Sequence, residues 1–122
     1  MSFFKKKDKV SRTEDEIIAG VRPEFRMMIE DMFVIRGVGT IATGMVKAGM
    51  CRAGEPAVII HNGKEIETEI IFIDFMGKEH KQDGVAYPNE NVGLGLKGIT
   101  QEQLEQKEIQ LGDWIVVKNG QA

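Results

Sequence analysis

Apolar and polar side chains alternate with a period of two from Phe25 to Ile35, which predicts a β-strand. One face of that strand carries Phe25, Met27, Ile29, Asp31, Phe33 and Ile35, and the other carries Arg26, Met28, Glu30, Met32 and Val34. The glycines on either side of Val38 predict a turn, and a second strand follows from Thr40 to Lys47. One face of the second strand is made of small residues that let another chain segment approach closely, namely Thr40, Ala42 and Gly44.

The Asn62-Gly63 pair predicts a β-hairpin, because both residues tolerate the positive φ angles of a type I′ turn. Strands flank it at 57–60 and 65–70. Beyond residue 70 the apolar positions shift by one, and such a change reverses which side chains face the core. We therefore predict a β-bulge near Ile70-Ile71.

The remaining segments are short. Residues 77–90 are rich in turn residues, and residues 92–97 alternate between apolar residues and glycines. Thr100 and Gln103 have the spacing of a helix cap, and residues 112–118 predict a last strand. Ser11 and Glu14 have the same cap spacing, which predicts a short helix near 12–19. About six strands without long helices between them indicate an all-β barrel or sandwich.

The length of 122 residues, at 13.6 kDa, allows one domain. We divide the chain into a tail with a short helix (1–22), a β-barrel (23–119) and a frayed end (120–122). Isoleucine and valine, 14 and 10 residues, far outnumber the 4 leucines, which favours strands. No apolar run is long enough to span a membrane, no secretion signal is present, and Cys51 is the single cysteine. We expect a cytoplasmic protein.

Charge is divided unevenly along the chain. Residues 1–13 carry a net charge of +4 and residues 14–122 carry −7, for a total of −3. An acidic body is poorly suited to non-specific nucleic-acid binding, which needs Lys and Arg to neutralise phosphates. The aromatic and basic residues at 1–9 could form a weak tether to an anionic membrane surface, but we interpret them as a solvated terminus without membrane contact.

Two glycine patterns resemble phosphate-binding motifs, and neither has the required context. The G-x-G-x-x-G of residues 93–98 follows a turn and alternates with apolar residues, as in a strand. Residues 39–44 have P-loop spacing, but Met45-Val46 replaces the Lys-Ser/Thr pair, so we predict no GTP binding. His61 and His80 have no neighbours at zinc spacing. We predict no catalytic, metal or cofactor-binding residues and hence no enzyme.

Residues 25–49, FRMMIEDMFVIRGVGTIATGMVKAG, resemble the start of the second domain of translational GTPases such as elongation factor Tu, which reads F-R-x-x-I-E-D-x-F-x-I-x-G-x-G-T-x-x-T-G. Residues 91–99, NVGLGLKGI, resemble that domain's N-V-G-x-x-L-R-G-I segment. Together the two matches cover about residues 25–118. The resemblance implies a closed six-stranded antiparallel β-barrel, here standing alone without the GTPase domain.

In the elongation factors this barrel helps to hold the aminoacyl end of tRNA against the GTPase domain. The resemblance places Asp74 at the acidic position of that pocket, Gly77 at its arginine and Gly95 at its leucine. Met45 stands where the family has another arginine. Loss of a planar guanidinium removes the group best suited to grip an ester or a phosphate, so we do not expect tRNA delivery.

The function that we expect is a non-catalytic binding module whose partner is RNA, a ribosomal surface or a GTPase-like protein. The alternative is a regulatory protein-binding barrel with no role in translation, which the acidic body favours. An enzyme is the third hypothesis, and no motif supports it. The candidate partner-binding residues are Glu30, Asp31, Phe33, Arg36, Thr40 and Asp74. Some of them lie near the first turn, as does Lys47. Solvated strand ends remain the alternative interpretation of the residues at the turn.

Overall fold

A computed structural model describes residues 23–77 and 83–118. The predicted helix near 12–19 and the frayed end at 120–122 lie outside these residues. Nine strands and one short helix are described: β1 (Phe25–Met28), β2 (Asp31–Ile35), β3 (Gly39–Ala48), β4 (Cys51–Arg52), β5 (Pro56–His61), β6 (Lys64–Asp74), β7 (Val85–Ala86), β8 (Asn91–Leu96), α1 (Gln101–Glu105) and β9 (Trp114–Val117).

Six of these strands close into an antiparallel barrel. The order around it is β1-β9-β5-β6-β8-β3, and β3 pairs with β1 to close the ring. Strand β2 also pairs with β3 but lies outside the ring, at the end of the seven-stranded sheet. Strands β4 and β7 form a separate two-stranded sheet. The predicted all-β class and closed six-stranded antiparallel barrel are confirmed.

The segment predicted as one long strand from Phe25 to Ile35 is divided in two. The Ile29 N–H donates to the Asp113 carbonyl at 2.8 Å, while the next N–H, that of Glu30, donates to the Thr43 carbonyl at 2.8 Å. The chain thus keeps β3 as a partner on one side, loses β9 on the other side after Ile29, and leaves the ring. Its alternation of buried and exposed side chains ends there, since β2 has no buried residue.

Gly44 permits this exit because it lies beneath the end of β1. A β-carbon at Gly44 would collide with the main-chain carbonyl oxygen of Met28 and would lie 3.2 Å from the Met27 Cγ. The predicted close approach of another segment to the small face of β3 is confirmed, and the segment is the junction between β1 and β2.

The local predictions from turn and cap residues are also confirmed. Asn62 and Gly63 have φ angles of 49° and 81° and join β5 to β6, in the positive region that a type I′ turn requires. The pairing of β6 with β8 shifts between Ile70 and Phe72, which places a bulge at the predicted position. The Thr100 side chain accepts from the Gln103 N–H at 3.1 Å and caps α1.

The core fills the interior of the ring with side chains from every barrel strand. Its largest fully buried members include Phe25, Met27, Ile59, Ile70, Leu94 and Ile115. Residues 93–98, which carry the G-x-G-x-x-G pattern, form the end of β8 and the turn after it rather than a loop before a helix. No helix in the described residues is long and apolar enough to cross a membrane.

Candidate functional site

Four neighbouring strands, β2, β3, β8 and β6, present one outer face on the side away from the core. The pairing registers align their outward residues in two adjacent rows across the sheet. The first row is Phe33, Ile41, Gly95 and Phe72, and the second row is Asp31, Thr43, Gly93 and Asp74. We call these eight residues the outer face.

Glycine makes the middle of the outer face shallow. A β-carbon at Gly93 would lie 3.3 Å from Ile41 Cγ2, 3.5 Å from Thr43 Cγ2 and 3.6 Å from Asp74 Cβ, so the three side chains pack closely around the buried Gly93. Asp31 and Asp74 lie at the two ends of the second row. Three strand spacings separate them, which is about 14 Å. The outer face therefore has a small-residue floor between two acidic ends.

Both acidic ends are exposed, and each has one oxygen engaged locally. Asp31 Oδ1 accepts from the Met32 N–H at 2.9 Å, and Asp74 Oδ1 accepts from the Met76 N–H at 2.9 Å. Carboxylates fixed in this way can accept further hydrogen bonds from amines, guanidinium groups or backbone N–H groups. They would repel a phosphate backbone.

Beside the outer face, the hairpin formed by β2 and β3 exposes apolar side chains outside the barrel. Phe33, Val34, Ile35 and Val38 are 41%, 40%, 42% and 47% exposed, and we call these four the hairpin patch. Arg36 is exposed in the turn between them. Four adjacent apolar residues with this exposure, at the end of a sheet, are typical of an interaction surface.

A groove of about 310 Å³ runs along the base of β2. Asp31 and Met32 form one wall, and the segment that follows α1 forms the other, with Leu111 as its most exposed apolar residue at 59%. The groove therefore adjoins the strand that already carries the hairpin patch.

The structure brings three of the predicted partner-binding residues, Asp31, Phe33 and Asp74, onto the outer face. Arg36 is exposed in the adjacent turn, and Glu30 is exposed where the chain leaves the barrel. Thr40 is placed differently. Its side chain is 2% exposed, and its hydroxyl donates to the Ile99 carbonyl at 2.7 Å. Because this hydroxyl is used inside the barrel, we leave Thr40 out of the candidate surface.

The positions carried over from the elongation-factor pocket lie in β8, at the end of β6 and in the turn that follows β6. Asp74 ends β6, and Gly77 follows in a turn with φ 95°. Gly95 lies under the Phe72 ring, with which any β-carbon at this position would collide. A leucine at Gly95 would need that ring to move, so the aromatic residue occupies the space that a larger side chain would take.

One polar pair was missed by sequence reasoning. His61 Nδ1 lies 2.9 Å from Asp113 Oδ2, and both side chains are nearly buried, at 15% and 11% exposure. Asp113 Oδ2 also accepts from the Gln110 N–H at 2.7 Å. The pair joins the end of β5 to the loop before β9. Only the adjacency of these two strands could have suggested it, since the residues are far apart in sequence.

Across residues 23–77 and 83–118 no group of three His, Cys, Asp or Glu residues is arranged to hold a metal ion. No protein-family model matches the chain. The outer face, the hairpin patch and the groove are the candidate functional surfaces in the described residues.

Proposed function

We propose that this chain is a non-catalytic binding module that docks a protein or ribonucleoprotein partner on its outer face. The observation that carries the proposal is the exposure of the hairpin patch on a strand that the closed barrel does not need, in the same sheet as two fixed carboxylates. Apolar side chains supply the contact area of an interface, and carboxylates orient the partner.

We further propose that the barrel is of the type found in the second domain of translational GTPases. The residues that carry the resemblance have fold-determining roles that support this assignment. Phe25 and Ile29 fill the core, Gly44 makes room for the exit of β2, and Thr40 ties β3 to the chain after β8. These residues determine the fold. The function is inferred from exposed residues instead.

The partner that we favour is a GTPase-like protein or a ribosomal protein surface in the cytoplasm. The outer face has acidic ends at Asp31 and Asp74, and the chain from residue 14 onward carries a net charge of −7. Such a surface attracts basic side chains and disfavours a nucleic-acid backbone. A basic ribosomal protein or a basic face of a GTPase is therefore a better match than bare RNA.

The experiment is co-sedimentation of the purified chain with ribosomes of its own organism, at low and at moderate salt. We expect association that weakens at least tenfold in Asp74→Arg. Glu67→Arg is the matched control, since it makes the same charge change at another exposed position of β6. Absence of association at both salt concentrations would rule out the ribosomal partner, and equal loss in both variants would rule out the outer face.

A regulatory barrel without a role in translation is the second candidate, and the net charge of −7 from residue 14 onward favours it. Affinity purification from a native lysate, with and without ribonuclease, separates the two candidates. Complexes that survive ribonuclease and contain neither ribosomal proteins nor a GTPase would support the regulatory function. Complexes that disappear with ribonuclease would contradict it.

A further inference from the structure

Strand β2 has one free edge. It pairs with β3 on one side, and it is the terminal strand of the seven-stranded sheet. The Met32 N–H donates to the Asp31 carboxylate of its own strand. Backbone bonding alternates along an antiparallel pair, so this donor marks Met32 and Val34 as the residues whose backbone groups point away from β3. The Glu30 N–H, which donates to Thr43, lies outside this alternation, because Thr43 is paired in register with Asp31. An added strand would find two consecutive binding positions there.

The charges around this edge are self-complementary. Glu30 precedes β2 and Arg36 follows it, and both are exposed. If two copies of β2 lie antiparallel with Phe33 opposite Phe33, then Met32 of each copy lies opposite Val34 of the other. The same register places Glu30 of each copy opposite Arg36 of the other. One register therefore satisfies both requirements. It aligns the backbone groups that can exchange hydrogen bonds, and it places side chains of opposite charge across from each other.

We propose that the free edge of β2 pairs with β2 of a second copy of this chain, forming a symmetric antiparallel dimer. Each Met32–Val34 pair exchanges two backbone hydrogen bonds, with the Met32 N–H released from Asp31. The two Phe33 side chains meet on one face at the dimer axis. A symmetric interface uses the same surface on both copies, which the pattern of Glu30, Phe33 and Arg36 satisfies.

The groove beside β2 receives the hairpin turn of the second copy. Ile35 and Val38 of the second copy, which are 42% and 47% exposed in the free chain, extend past the paired strand. They reach the wall of the first copy's groove that carries Leu111. Pairing thus covers the hairpin patch and the exposed leucine together. The contact involves one five-residue strand and a turn from each copy, so it is smaller than the roughly 1,600 Å² of a standard interface, and the dimer is concentration-dependent.

This inference goes beyond the proposed function, because it concerns a second copy of the chain rather than the partner. Since the dimer covers the hairpin patch, the second copy and the partner compete for that patch. The dimer joins the two outer faces in one continuous sheet, with Asp74 remote from the pairing edge on β6. Asp74→Arg should therefore leave dimerisation unchanged, whereas it should weaken partner binding.

The test is sedimentation equilibrium of the purified full chain between about 1 µM and about 1 mM. We expect the mass to rise from 13.6 kDa toward twice that value over this range. Arg36→Glu should weaken association at least tenfold, as should Glu30→Arg, because each places like charges opposite one another. The double variant Glu30→Arg/Arg36→Glu should restore association to within about threefold of wild type, since it recreates both opposite-charge pairs.

Two further variants separate the edge from general effects of charge or folding. Val34→Pro removes an N–H that points away from β3, so it should abolish association while the circular dichroism spectrum stays that of the wild type. Lys47→Glu, an exposed charge reversal elsewhere on β3, should not change association. A wild-type chain that remains monomeric at about 1 mM, or a double variant as weak as the single ones, would overturn the proposal. Either result would leave the proposed function standing, because ribosome binding is measured separately and uses the hairpin patch of the monomer.

Discussion

Gly44→Ala is the substitution that most directly perturbs the junction where β2 leaves the barrel. The added methyl group would collide with the Met28 carbonyl oxygen, which belongs to the main chain and cannot rotate away. Relief requires the end of β1 to move away from β3, and these two strands close the ring. The substitution should therefore weaken barrel closure itself.

The expected change in unfolding free energy can be estimated by comparing three glycines whose surroundings differ. Alanine in place of glycine stabilises by roughly 0.4–1 kcal/mol through the unfolded chain when the site has room. Gly93→Ala meets only side-chain atoms at 3.3 Å or more, so we expect a net change within about 0.5 kcal/mol. Gly95→Ala must displace the Phe72 ring, at about 1–2 kcal/mol, while Gly44→Ala must displace backbone, at about 3 kcal/mol or more.

The assay is urea unfolding of the three variants, followed by Trp114 fluorescence and by circular dichroism to confirm that both signals change together. We expect the midpoint to fall most for Gly44→Ala, less for Gly95→Ala and least for Gly93→Ala. If Gly44→Ala unfolded at the wild-type midpoint, or if Gly93→Ala were the most damaging of the three, the close passage of β1 over Gly44 would be refuted.

Three further predictions concern polar contacts. Thr40→Val should cost about 1–2 kcal/mol in urea unfolding because it leaves a buried carbonyl without its donor, and Thr40→Ser should recover most of that loss. His61→Ala should cost about 1–2 kcal/mol by the same assay, because it leaves a nearly buried Asp113 with one fewer donor. A neutral result would contradict a stabilising His61–Asp113 contact between β5 and the loop before β9. The Glu65 side chain, by hydrogen bond and then by charge, raises the pKa of Lys118 above its usual 10.5. The stability difference between wild type and Lys118→Gln should therefore be constant from neutral pH up to that value and disappear as pH rises through the raised pKa. A difference that grows above pH 10.5 would contradict this assignment.

Local chemistry explains which parts of the fold could be predicted. The turn at Asn62-Gly63 and the cap at Thr100 depend on neighbouring residues, so a short stretch of sequence contains all the information needed. The bulge at Ile71 was visible as well, because the apolar positions of a single long strand change register there.

The break after Ile29 could not be read from the sequence, because apolar residues alternate on both sides of it. Phe33 and Ile35 continue the pattern of Phe25 and would be buried if the strand stayed in the ring. Only the strand pairing shows the break, since β1 pairs with both β9 and β3 whereas β2 pairs with β3 alone. Strong alternation predicted the strand and gave no sign that half of it lies outside the core.

The candidate site was only partly predictable for a related reason. Asp31 and Phe33 lie on one predicted strand and the resemblance points to Asp74 on another, but their common face depends on the register of four strands. Thr40 shows the opposite case. A polar residue near a turn is expected to be exposed, but the strand pairing places the Thr40 side chain inside the barrel. The His61–Asp113 pair depends on tertiary contact in the same way.

The central claim is that the ring closes through β1 and leaves the edge of β2 free. The most direct measurement is NMR of the chain at low concentration, using cross-strand backbone contacts and amide exchange. We predict contacts from Met27 to both Val46 and Ile115, together with fast exchange of the Met32 and Val34 amides. Contacts from Met27 to only one of the two strands, or protection of those two amides in the monomer, would contradict the account.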